Sequence, residues 1–211
     1  MKRALAIVGA GGHAHVVADC AEALGWDRIE FFDDQPDRSL PGPWTRAGDV
    51  RALTDRVGDF DGVIVGVGAN RPRLVLHRSL TALGAAAAVL IHPQATVSKH
   101  ARIGAGTVIL AGAVVNFGAV VGEACIINTG ATVDHDDHLA DGVHLSPGAH
   151  LAGQVAVGEC SWVGIGASVR EGVRIGSSVR LGAGAALIAD APDGVDMVGV
   201  PARPRSRSDD A

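Results

Sequence analysis

From Ile91 to Leu187 an aliphatic residue stands at every sixth position without a slip, starting Ile91, Val97, Ile103, Ile109 and ending Val169, Ile175, Leu181, Leu187. Four residues after each aliphatic the side chain is mostly small, as at Ala95, Thr107, Cys125, Ala149, Ser161 and Ala185. Six residues are too few for a helical repeat. They match one face of a parallel β-helix, in which a short flat strand turns a tight corner and the next coil covers its aliphatics. Stacking leaves open edges only at the two ends, which caps or partner subunits must cover. Pro93 marks the expected start of this region, and Pro192 and Pro201 its end. Composition agrees, because 29 Gly with four Phe, three Trp and no Tyr cannot fill a core of large side chains.

The residues before the repeat follow another rule. An apolar run Ala4 to Val8 leads through glycines into an expected helix from His13 to Leu24, closed by Gly25. Further strands are expected over Arg28 to Phe32 and Val63 to Val67, and a helix over Pro72 to Leu83. Strand and helix alternating in this way form a small Rossmann-like parallel α/β domain. The chain therefore divides into an α/β domain over residues 1–85 and a β-helix domain over residues 86–211.

Several function classes fall away. A net charge of −5 with no basic stripe offers no footprint for nucleic acid. Cys20, Cys125 and Cys160 have neither a metal-type spacing nor an even count, which suits a reducing cytoplasm. The opening Met1-Lys2-Arg3 and its apolar run break at Gly11-Gly12-His13 without a cleavage site, so no signal peptide is expected. No stretch is long enough to span a membrane.

Two constellations can carry chemistry. Gly9-Ala10-Gly11-Gly12-His13-Ala14 follows a strand and opens a helix, so its amides can cradle a phosphate at the helix N-terminus. Asp33 ends the second strand, where a carboxylate can accept from a ribose hydroxyl. The plainer alternative is that these glycines only permit a tight turn and Asp33 only begins a loop. A complete dinucleotide site is not expected, because it needs two mononucleotide-sized halves and only one is present.

The second constellation is Asp134-His135-Asp136-Asp137-His138, with His144 and His150 beyond it, inside the repeat. Imidazole and carboxylate are common metal ligands, yet side chains alternate along a strand and neighbours disperse, so no metal is expected. A hydrated turn is a second possibility. The preferred reading is a general base, with His135 oriented and made more basic by Asp136. Cys125 and Cys160 are alternative nucleophiles, but neither has a base beside it in sequence to form a thiolate.

Taken together, the Gly-Gly-His turn, Asp33-Asp34, Val67-Gly68-Ala69-Asn70, Ile126-Ile127-Asn128-Thr129-Gly130, Val133-Asp134-His135-Asp136, His144 and Val198-Gly199-Val200-Pro201-Ala202 resemble a known family. It is the sugar acetyltransferases of bacterial surface-glycan pathways, including the bacillosamine-pathway and perosamine N-acetyltransferases and the sialic acid O-acetyltransferase type. The resemblance implies a left-handed β-helix, a homotrimer and active sites between subunits. It gives His135 the role of catalytic base and Asp136 that of its partner. His144 matches a residue at the acetyl-CoA thioester, and Gly153, Ile165 and Ala183 match the cofactor groove, with Ala183 replacing a glycine of some relatives. Gly11, Gly12, His13, Asp33, Asp34 and Gly68 match the nucleotide-sugar site, and Asn128 would lie near the sugar. Arg203 and Arg205 either meet CoA phosphates or form a solvated tail, and Ser206 to Ala211 is expected to be flexible.

The resulting expectation is acetyl transfer from acetyl-CoA to an amino group on a nucleotide-linked deoxy sugar, without a metal and without an acyl-enzyme. O-acetylation by the same machinery and a noncatalytic sugar-nucleotide-binding scaffold are the rival readings.

Overall fold

The computed structural model describes residues 3–35, 37, 39–40 and 42–205; the tail from Ser206 to Ala211, like Met1 and Lys2, lies outside them. The first part is a parallel sheet of β1 (Ala4–Val8), β2 (Arg28–Phe32), β3 (Thr45–Gly48) and β4 (Gly62–Val65), in the order β3-β2-β1-β4. Helices α1 (Gly12–Ala23), α2 (Val50–Thr54) and α3 (Asn70–Ala82) connect or follow these strands. β1 is buried along its whole length, as its unbroken apolar run requires of a central parallel strand. Two departures from the sequence reading stand out. β4 ends before Gly66 and Val67, which enter the following loop, and β3 with α2 was not foreseen. β3 is a half-buried edge strand without an apolar run, and α2 is a short turn of helix whose cap, Asp49, accepts from Ala52 N at 2.7 Å.

From Leu90 onward the chain is a left-handed parallel β-helix of two-residue strands. Each strand starts one residue before a repeat aliphatic, from Leu90–Ile91 to Ala186–Leu187. Three faces result. The first carries Leu90–Ile91, Val108–Ile109, Ile126–Ile127, His144–Leu145, Trp162–Val163 and Arg180–Leu181, then Asp196–Val198 and the antiparallel Arg203–Arg205. The second runs from Thr96–Val97 to Ala186–Leu187 and the third from Arg102–Ile103 to Arg174–Ile175. The repeat aliphatics point inward and, from Ile109 on, form one continuous buried core with the small corner residues.

The corners explain a second period. From Gly106 to Gly184 every sixth residue has a positive φ, and most of them are glycine. Ala124, Asp136, Gln154, Cys160 and Ser178 adopt the same left-handed backbone at φ of 50 to 62° despite their side chains, a conformation that short polar residues tolerate best.

The α/β domain sits on the first face. Its α1 packs Ala14, Val17 and Ala18 with Leu90, Val108 and Ile126, the outward residues of the first three strands there. Past that cover the outward column turns polar and aromatic, continuing with His144, Trp162, Arg180 and Asp196.

Candidate active site

His135 and Asp136 occupy the corner between the second and third faces, between Thr132–Val133 and His138–Leu139. Asp136 takes the corner's left-handed position, and its Oδ2 stands 3.0 Å from His135 Nδ1. Gly118, one coil earlier, leaves the room that this carboxylate fills. The hydrogen bond that Asp136 accepts pushes the His135 imidazole above its ordinary range, although both side chains are more than half exposed. Nδ1 therefore carries the proton that faces Asp136, and Nε2 is left as the free base nitrogen. Gly153 lies under that nitrogen, where a Cβ would collide with His135 Nε2.

Two further carboxylates build this turn. Asp134 Oδ1 accepts from His135 N at 2.7 Å and from Asn116 Nδ2 at 2.9 Å, which holds the Asp134 carboxyl below its usual range. Asp137 stands at the small, inward corner position and is fully buried. Its oxygens accept from Asp134 N and from Val155 N of the next coil, both at 2.8 Å. Burial pushes its carboxyl up to about 7, with the two N–H donors pulling the other way. Thr107 and Ser161 bridge coils in the same manner from equivalent positions, so Asp137 is a structural tie beneath His135.

The second group lies on the first face. His144 is 8% exposed, stacks on Trp162 at 5.3 Å and 9°, and places Nε2 3.2 Å from Asn128 Nδ2. His13, from the start of α1, has its ring 6.5 Å from that of His144. Burial lowers His144 to about 3 and His13 to about 4, and the Arg73 charge adds to both shifts. Both rings are therefore neutral near pH 7. His144 Nδ1 and His13 Nε2 are buried without a hydrogen-bond partner, a costly condition that a bound ligand can relieve. From His144 a cleft of about 480 Å³ runs toward the C-terminal coils, past Trp162, Ile165, Ala183 and Arg205. Its wall includes the bidentate pair of Arg180 with Asp196, at 2.7 and 3.1 Å. Arg203 does not line this cleft.

The third group surrounds a smaller cleft of about 250 Å³ in the α/β domain, bordered by Gly9, Asp33, Asp34 and Val67. Asp33 is mostly buried; its Oδ2 accepts from Ala10 N at 2.6 Å and its Oδ1 from Gln35 N at 2.7 Å. It thus fastens the glycine turn. Asp34 is exposed and accepts from Val50 N at 3.0 Å. Gly11 caps α1 without a side-chain hydrogen bond, and a Cβ at Gly12 or Gly68 would meet only open space.

The residues singled out from the sequence are thus brought together in part. His13, Asn128 and His144 converge, and Ile165 and Ala183 line the cleft that leads away from them. His135, Asp136 and Gly153 stand on another edge of the same prism, so Gly153 is separated within this chain from its two expected companions in the cofactor groove. Trp162 and the Arg180–Asp196 pair were missed, although reading every eighteenth residue from Ile126 passes through His144, Trp162 and Arg180. Neither cysteine is activated, since burial raises the Cys125 thiol to about 12 and raises Cys160 as well. Among the described residues no group of three or more His, Cys, Asp or Glu could hold a metal ion, and no helix is long and apolar enough to cross a membrane.

Comparison with known proteins identifies the family. Residues 4–80 match the model of the PglD N-terminal domain. No curated protein matches the chain. Among solved structures, the acetyltransferase domain of PglB from Neisseria gonorrhoeae FA1090 is 45% identical, covering 96% of this chain and 100% of that one with a TM-score of 0.91. The same domain has been solved in complex with acetyl coenzyme A, at 44% identity over 97% of this chain and a TM-score of 0.90. PerB from Caulobacter crescentus, in complex with CoA and GDP-perosamine, is 38% identical over 96% of this chain and 97% of that one, with a TM-score of 0.91. The chain belongs to the hexapeptide-repeat, acetyl-CoA-dependent sugar acetyltransferases of the bacillosamine-pathway and perosamine N-acetyltransferase type.

Proposed function

We propose that this enzyme transfers an acetyl group from acetyl-CoA to the amino group of a nucleotide-linked deoxy sugar, in the cytoplasmic stage of bacterial surface-glycan biosynthesis. The observation that carries this reading is the His135–Asp136 pair, with Nε2 free over the gap at Gly153. The amine nitrogen attacks the thioester carbonyl and forms the C–N bond. His135 Nε2 takes the proton that nitrogen loses, and Asp136 stabilises the resulting imidazolium. Collapse of the tetrahedral intermediate breaks the C–S bond, and the departing thiolate takes the proton back from His135. Likeness to enzymes solved with acetyl-CoA and with GDP-perosamine supports both substrate classes.

His135 lies on a different edge from the cleft of His144, Ile165 and Ala183. In this proposal each cleft is completed by the base of a neighbouring chain, in a homotrimer. Light scattering should therefore give a trimer at working concentration; a stable, fully active monomer would remove the shared site. The cleft beside Asp33 receives the nucleotide in the same reading. Asp33→Ala should raise the acceptor KM while leaving that of acetyl-CoA near its original value, because it releases the glycine turn. An unchanged acceptor KM would exclude the turn from acceptor binding.

Incubation with acetyl-CoA and a panel of nucleotide amino sugars, read by thiol release and product mass, tests the reaction itself. Acetylation confined to hydroxyl acceptors would replace N- by O-transfer. Absence of thiol release with every acceptor would favour a scaffold.

A further inference from the structure

Arg73 lies in α3 with 1% of its surface exposed, and all five of its N–H groups are used. Nε donates to Ala124 O at 2.7 Å, Nη1 to Val67 O at 3.1 Å and Gly68 O at 2.8 Å, and Nη2 to Asn70 Oδ1 at 3.0 Å and Gly142 O at 2.9 Å. All five acceptors are carbonyl or amide oxygens; none is a carboxylate. Burying a cation in such company is costly, and a neutral residue would serve packing alone better.

The acceptors show what the guanidinium does. Val67 and Gly68 belong to the loop after β4, whereas Ala124 and Gly142 are equivalent corner residues of successive coils in the β-helix. Asn70 extends the series, donating from Nδ2 to Cys160 O at 3.0 Å and Ser161 O at 3.1 Å on the coil after that. The loop 67–70 is thereby held in register with three stacked corners.

We propose that Arg73 is a positioning residue for acetyl transfer, fastening the Gly68 loop to the β-helix and so setting where the acceptor half of the site lies against His13 and His144. This rests on the acceptor reading of the cleft beside Asp33 given above, a cleft that Val67 of the same loop lines. The same guanidinium has an electrostatic consequence: behind burial, its charge is the next cause that keeps His13 and His144 neutral.

Two substitutions separate geometry from charge. Arg73→Lys keeps the charge but offers three donors instead of a planar fork. Arg73→Gln removes the charge. With the folded fraction measured for each, Arg73→Lys should raise the acceptor KM about 10-fold or more, the scale of a lost charge-assisted hydrogen bond, with little change in the acetyl-CoA KM. It should also speed exchange of the residue-73 amide, which donates to Ala69 O at 3.0 Å, in the free protein. Arg73→Gln should in addition let both imidazoles titrate at higher pH by NMR, still below the ordinary range because burial remains.

A folded Arg73→Lys enzyme with both KM values unchanged, and kcat lowered only in proportion to its folded fraction, would overturn the positioning role. Should both Arg73 variants fail to fold, Asn70→Ala tests the same registration without removing the buried charge, and an unchanged acceptor KM there would overturn it too. If the wild type acetylates no amino sugar, the functional reading fails, whereas exchange of the residue-73 amide, which donates to Ala69 O, still decides whether Arg73 fixes the loop.

Discussion

Folded His135→Ala enzyme should lose about 10²-fold or more in kcat, the usual contribution of a general base, while its assembly and thermal unfolding remain as before. The side chain is more than half exposed and carries no packing load, so structure and chemistry separate cleanly at this position. Asp136→Ala should do less harm and should move the pH profile in a defined direction. Asp136 raises the His135 pKa, chiefly through its hydrogen bond. The base works only when deprotonated, so removing Asp136 lowers the pH at which activity appears and shifts the acidic limb of kcat/KM to lower pH. Near-normal turnover by folded His135→Ala with the true acceptor would end the proposed mechanism.

Gly153→Ala should approach the same loss without altering a single chemical group. A methyl there would occupy the place of His135 Nε2. The imidazole can swing into solvent more easily than the coil can deform, so the base is displaced and the fold is kept. A misplacement of about 1 Å can cost on the order of 10²-fold in rate. Gly153 has no positive φ to be strained, and Gly-to-Ala changes at compatible positions often stabilise, so the melting temperature should hold or rise slightly. Wild-type kcat in this variant would show that His135 does not act from the position described.

The two predictions differ in how far sequence alone reaches them. The repeat was legible to the residue, because a two-residue strand must bury its second side chain in the prism and the period admits no other phase. His135 and Asp136 were legible as neighbours. Their geometry was not, since it depends on Asp136 taking the left-handed corner position that glycine fills in most other coils. Gly153 could be matched to a groove but not placed beneath His135, because that contact joins one coil to the next. Arg73 was overlooked in a helix whose buried stripe also holds Leu74, His77 and Leu80; a guanidinium inside such a stripe was the available signal. Edge strand β3 left no trace, as a half-buried strand without apolar alternation resembles a loop.

The eighteen-residue step between stacked strands, seen in Ile126 over His144 and His144 over Trp162, gives this half of the chain something like a reading frame with three phases. Loss or gain of one hexad would turn everything downstream by a third of a revolution, carrying Trp162 and Arg180 off the face they share with His144. Loss or gain of a whole coil would keep every face and move the distal groove by a single strand spacing, about 4.8 Å, relative to the α/β domain. Length variation compatible with this arrangement is therefore quantised, and the distance between the two clefts can be tuned only in steps of one coil.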